Sequence, residues 1–158
     1  SCTIMTGRID DYMKKLVAER ETPITQEYLD FGGEAIFKKI YALYAQRGYR
    51  AKLLVANNHS HFLWSRFLGG DLLMTVNPLW WRRMEGANLD IRRTIDEPVD
   101  EKIVRELLDK LPEYGMIYYE DGLKVEEFNQ FGAFRDTMNE FFHGYDAFID
   151  YLRGYMLP

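Results

Sequence analysis

The sequence predicts an α/β fold: a parallel α/β part over residues 1–87, followed by a helical C-terminal extension over residues 88–158 that packs on it. Three observations predict it. Ala51 to Ala56 (AKLLVA) and Asp71 to Val76 (DLLMTV) are short, continuously apolar runs, the pattern of strands covered on both faces. Each strand-like run is followed by apolar residues at helical spacing, and strand–helix alternation three times over implies right-handed parallel crossovers. From Asp96 onward only helical periodicity remains.

Taken in order, Cys2 to Met5 reads as a strand already under way, stopped by Thr6 and Gly7, so the chain is expected to open inside a domain. Ile9, Tyr12, Met13, Leu16 and Val17 then recur as one helix face, with Asp10 and Asp11 where carboxylates suit a helix N-terminus. ERETPITQEYLDFGG is polar and punctuated, and predicts an insertion or a loop. From Glu34 a second helix carries Ile36, Phe37, Ile40, Tyr41 and Tyr44 on one side, and Gly48 ends it in the left-handed position glycine favours. After AKLLVA come the polar NNHSH, a short helix through Phe62, Leu63 and Phe67, and the stop Gly69-Gly70. DLLMTV is the third strand, and NPLWWRRM starts a helix with Pro78 in its first turn. Helices are then expected over Val99 to Leu111, Val125 to Phe142 and Tyr145 to Met156, with PEYGMIYYEDG between the first two.

Composition narrows the function. A chain of 158 residues, 47% hydrophobic, can bury one real core. The formal charge of -5 argues against a nucleic-acid partner, because such domains present a basic face to phosphates. The single cysteine, Cys2, permits no internal disulfide, pointing to a reducing cytoplasm. No apolar run approaches the roughly 20 residues of a membrane span, so no membrane partner is expected. The high aromatic content, 15%, is expected to serve packing rather than base stacking.

In parallel α/β folds ligands gather at the carboxyl ends of the strands, which singles out three loops. Thr6, Gly7 and Arg8 follow the first strand. Arg8 beside free helix amides would seat a phosphate; the competing reading is a surface ion pair with Asp10 or Asp11. Asn57, Asn58, His59 and Ser60 follow the second strand. They form either a polar rim for a sugar phosphate or a cap for the next helix, and spacing favours the cap, with Ser60 best placed. Asn77 follows the third. His59 and His61 stand two apart with no third ligand nearby, so no metal is expected. His143, before Gly144, is expected to cap a helix end. Lys52 lies at the amino end of its strand, the wrong end for a Schiff-base amine. Glu126 and Glu127 are expected on a solvated face, and Trp80 and Trp81 are expected to pack while Arg82 and Arg83 reach water.

Three stretches carry a family resemblance. TIMTGRIDDY resembles the strand-six segment of transaldolases, usually I-S-P-F-V-G-R-I before an acidic, aromatic helix start. YALYAQRGYRAKLLVA resembles the next helix and strand, and FLGGDLLMTVNP the final strand, commonly G-G-D or G-C-D, then an apolar run closing in T-x-x-P. The tail from Tyr119 is similar to the helical end of a divergent bacterial branch. The resemblance implies that the three strands are the sixth to eighth of a (β/α)8 barrel, so that the chain forms part of a TIM barrel with a helical C-terminal extension. It also implies a cofactor-free transferase of the pentose phosphate pathway that moves a dihydroxyacetone unit between sugar phosphates. The Schiff-base lysine, on the family's fourth strand, would lie outside this chain, which alone should be inactive.

Carried over residue by residue, the family's phosphate-binding arginine falls on Arg8, its serine on Thr3 and its phenylalanine on Met5. Its S-F-R after strand seven falls on Asn57, Asn58 and His59, so a second arginine has become a histidine whose attraction for anions would depend on pH. The partners implied are a sugar phosphate and the missing N-terminal half of the barrel or another copy of the chain. The rival reading is a noncatalytic module that completes a barrel with a separate N-terminal chain through its sheet edges and its Trp80/Trp81 surface. A fructose-6-phosphate aldolase-like relative fits less well because of the long helical tail.

Overall fold

A computed structural model describes residues 1–56, 65–87 and 91–156. Strand β1 (Cys2–Ile4) leads into helix α1 (Thr6–Arg20), a 3-10 helix (Gln26–Phe31) and helix α2 (Gly32–Arg47). Strand β2 (Leu53–Ala56), strand β3 (Leu72–Thr75) and helix α3 (Pro78–Glu85) follow. Helices α4 (Glu101–Lys110) and α5 (Pro112–Tyr118), a 3-10 helix (Val125–Gln130) and the long helix α6 (Gly132–Met156) complete the chain.

The three strands pair in the order β1-β2-β3, all parallel, with Thr3 opposite Leu54 and Leu54 opposite Leu73. Parallel strands in sequence order are what the strand–helix alternation predicts. The partial TIM barrel is not what forms. Helix dominates the molecule, and the sheet is a small open patch of three- and four-residue strands. Barrel closure requires tilted, staggered strands with no free edge; among the described residues β1 and β3 each have a single neighbour. Sequential parallel order is common to barrels and open sheets, so it never carried the barrel; the family resemblance did.

The expectation that the strands are covered on both faces is also corrected. Cys2, Leu53 and Leu72 make one row across the sheet, and Ile4, Val55 and Met74 the next; these residues pack with Phe37 of α2, Phe67 and Ile95 in one apolar core. The intervening row, Thr3, Leu54 and Leu73, faces the other way, and Leu73 keeps 45% of its surface in water. The alternation was hidden because Leu54 and Leu73 are themselves apolar.

A second core joins α1 and α2 to the helices that follow residue 100. Met13, Leu16 and Val17 of α1, Leu29 and Ile36 meet Ile103, Leu107, Leu111 and Tyr114. The segment read as a polar loop therefore contains a buried turn, because Leu29, only 1% exposed, anchors it. Within PEYGMIYYEDG, Pro112 opens α5, and Tyr114 is drawn into the core with its hydroxyl donating to Gly32 O at 3.1 Å. The expected break near His143 and Gly144 is absent: α6 runs through both, since one glycine costs a helix only about 1 kcal/mol. His143 is thus an exposed mid-helix residue rather than a cap.

Helix ends follow their local chemistry. Gly48 closes α2 in the left-handed conformation, with φ of 64°. The Asn77 side chain accepts from Leu79 N at 2.8 Å, and Asp100 accepts from Lys102 N at 2.8 Å, capping α3 and α4. No helix among the described residues is long and apolar enough to cross a membrane.

Candidate functional site

The carboxyl ends of the strands point to one edge of the sheet, where β1 turns directly into α1. Thr6, buried and the first residue of α1, donates from Oγ1 to Ala56 O at 3.4 Å, tying the exit of β1 to that of β2. Thr3 lies on the open face of the sheet and Met5, at the exit, is 41% exposed. Across this face the central residues are apolar, Leu54 and Leu73, flanked by the hydroxyls of Thr3 and Thr75. Asn57 and His59, with Asn58, Ser60 and His61, lie outside the described residues. Asn77 is engaged in the α3 cap.

Arg8 occupies the first turn of α1, as phosphate binding by a helix N-terminus requires. Its guanidinium pairs with Glu140 of α6, a partner the surface reading with Asp10 or Asp11 did not name, and Asp11 also acts on it electrostatically. Hydrogen bonding from Arg8 holds the Glu140 carboxyl below the usual carboxylate range. Lys15 binds Asp136 at 2.6 Å in parallel, and the cleft between α1 and α6 is lined by Arg8, Asp11, Tyr12, Lys15, Asp136 and Thr137. Sequence reasoning missed Glu140 because it stands 132 residues from Arg8 and nothing local marks it. Lys52 pairs with Asp71 at the amino ends of β2 and β3, opposite the candidate edge. Trp80 packs into the sheet core with Arg83 over its ring at 4.6 Å, whereas Trp81 is 55% exposed and donates from Nε1 to Glu85 at 3.0 Å.

Asp10 does something other than serve its own helix. It is 7% exposed and accepts from Gly33 N at 2.7 Å, so it caps α2 from the first turns of α1. Burial raises its pKa to about 7, against the lowering effect of the Gly33 hydrogen bond.

One buried ion cluster lies next to it. Glu34, 7% exposed, binds Arg66 at 2.6 Å and Lys38 at 2.8 Å, while Arg66 also stacks over the Phe31 ring at 3.9 Å. The cluster fastens the β2–β3 connection to the start of α2. Glu34→Gln should cost about 2 kcal/mol, because one charge is removed from between two largely desolvated cations. Lys38 keeps its bond to Glu97 O at 2.6 Å, which limits the loss. Chemical denaturation at pH 7 measures it, and a change under about 0.5 kcal/mol would show the cluster to be a solvated surface pair.

Among the described residues no three His, Cys, Asp or Glu side chains gather as a metal site. No protein-family model, curated protein or solved structure matches the chain.

Proposed function

We propose that this chain supplies the phosphate-binding side of a sugar-phosphate pocket in a transaldolase-like enzyme. Such an enzyme transfers a dihydroxyacetone unit through a lysine Schiff base, and here the lysine comes from outside the chain. The observation that carries the reading is the placing of Thr3, Met5 and Arg8 at the carboxyl end of β1. Thr3 of β1 and Met5, just past its end, are exposed, and the arginine belongs to the helix start that follows. Parallel sheets bury both faces as a rule; among the described residues this face leaves Thr3, Leu73 and Thr75 exposed, and the hydroxyls at its margins suit a polar, hydrogen-bonding ligand. The mechanism asks little of these residues beyond binding: Arg8 holds the phosphate by charge-assisted hydrogen bonds, and Thr3 hydrogen-bonds the sugar. A phosphate reaching Arg8 competes with the Glu140 carboxylate.

In transfer assays of the full-length enzyme, Arg8→Ala should raise KM for a phosphorylated sugar on the order of tenfold or more, with little change for its unphosphorylated counterpart. Equal effects on both sugars would remove Arg8 from phosphate binding. Glu140→Gln should act oppositely, lowering KM for the phosphorylated sugar alone.

The interaction-module reading is favoured by a different observation, the two single-neighbour strand edges. Sedimentation with the remainder of the protein supplied as a separate chain separates the two: a stable complex without transfer activity supports the module.

A further inference from the structure

Helix α6 carries an apolar stripe that the rest of the fold leaves in water. Phe134, Met138, Phe141, Tyr145, Phe148 and Leu152 alternate in steps of four and three, and Tyr155 extends the series. This is the heptad repeat of a helix that packs along a second helix. Phe134 is 43% exposed, Phe141 54%, Tyr145 64%, Phe148 57% and Tyr155 76%. Among the described residues α6 is fastened to α1 by its first turns: Gly132 lies under the Tyr12 ring, and Asp136 and Glu140 pair with Lys15 and Arg8. From 141 to 156 every residue except Ile149 is exposed. The seam nonetheless runs without interruption through both the docked and the projecting half.

We propose that this seam is a dimer interface in which α6 of one chain lies antiparallel along α6 of a second copy. The repeat asks for a helical partner with the same spacing, and α6 itself provides one. Antiparallel pairing about Tyr145 sets Phe141 against Phe148, Met138 against Leu152 and Phe134 against Tyr155 of the other copy. It thereby covers the docked half of each seam with the projecting half of the other, which a partner covering only the free end cannot do. Gly144, beside the centre, has nothing within 4 Å of where a Cβ would stand, leaving room for close approach.

Area and charge agree. With large side chains at about 200 Å² each, the exposed seam and its neighbours Phe142, Tyr151 and Met156 offer on the order of 1,000 Å² per copy, against roughly 800 Å² per side in a standard stable interface. No charged side chain falls in the seam. Asp146, Asp150 and Arg153 fall at positions on the opposite side of the helix, so nothing repels in the pairing. Their net negative sign, two carboxylates to one guanidinium, disfavours an anionic lipid surface as the occupant.

Sedimentation equilibrium of the chain should give twice the chain mass, with Phe148→Asp weakening the dimer at least 100-fold while leaving the far-ultraviolet spectrum intact, because Phe148 contacts no core. A wild-type chain that stays monomeric at about 100 μM, or a dimer unmoved by Phe148→Asp, overturns the proposal; the latter would place the contact on the open sheet face. Orientation is read in a Cys2→Ser background. Tyr145→Cys should oxidise to a disulfide-linked dimer and Phe148→Cys should not. Cross-linking by both variants, as parallel helices would give, or by neither, counts against it.

Discussion

Gly33→Ala is expected to cost at least about 3 kcal/mol and to lower the melting temperature by roughly 10 °C. A Cβ on residue 33 would stand 2.7 Å from Thr6 O, 2.8 Å from Thr6 Cβ and 3.0 Å from Thr6 Cα. Two of these three atoms are backbone of the first residue of α1, so no rotamer change relieves the overlap, and the helices must separate. Separation stretches the hydrogen bond from Gly33 N to Asp10 and leaves a buried carboxyl without its donor, adding a desolvation term to the steric one. Thr6 also holds the exits of β1 and β2 together, so the disturbance reaches the candidate site. Gly154→Ala is the control. Residue 154 lies in the exposed end of α6 with nothing near its Cβ position, and there Ala should be neutral or stabilising by up to about 1 kcal/mol. Thermal melts of both variants check the contrast; equal effects would mean that α1 and α2 do not cross this closely.

The second large effect depends on pH. Asp10 in the folded chain holds its proton up to about pH 7, whereas the ordinary aspartate value is 3.8. The folded state therefore binds a proton that the unfolded chain releases, and stability falls as pH rises. The contribution is fully present below about pH 4, declines by about 1.4 kcal/mol per unit towards pH 7 and is flat beyond. Asp10→Asn keeps an acceptor for Gly33 N–H and places an amide donor where the protonated carboxyl has its hydroxyl. It should abolish the slope between pH 4 and 7 and, at pH 8, stabilise the chain by about 4 kcal/mol. Urea titrations at several pH values measure this directly. A variant that retains the wild-type slope would assign the pH dependence to another group.

Much of the fold was written locally. Three apolar runs, each followed by residues at helical spacing, specify three strands in parallel order, and Gly48 and Pro78 mark helix ends by their own backbone chemistry. What stayed hidden depends on distant pairing. Nothing in AKLLVA or DLLMTV says whether a fourth strand adds to an edge, and an apolar Leu73 reads the same whether it faces a core or water. Asp10 looked like a first-turn acid of its own helix because its partner, Gly33 N–H, comes from the next one. Arg8 was legible as a cation at a helix start, yet its partner Glu140 is brought to it only by the packing of α6 against α1. The apolar spacing of α6 was visible in part, but the His143-Gly144 pair suggested two helices where there is one, which concealed the length of its seam.

Helix α2 belongs to both cores: Ile36 enters the one built with α4 and α5, the next residue, Phe37, enters the one under the sheet, and Ile40 lines both. It acts as a keel shared by two hulls. Loosening either side strips apolar cover from the same stretch of α2, so the strands and the later helices lose their order in one cooperative step rather than melting piecemeal.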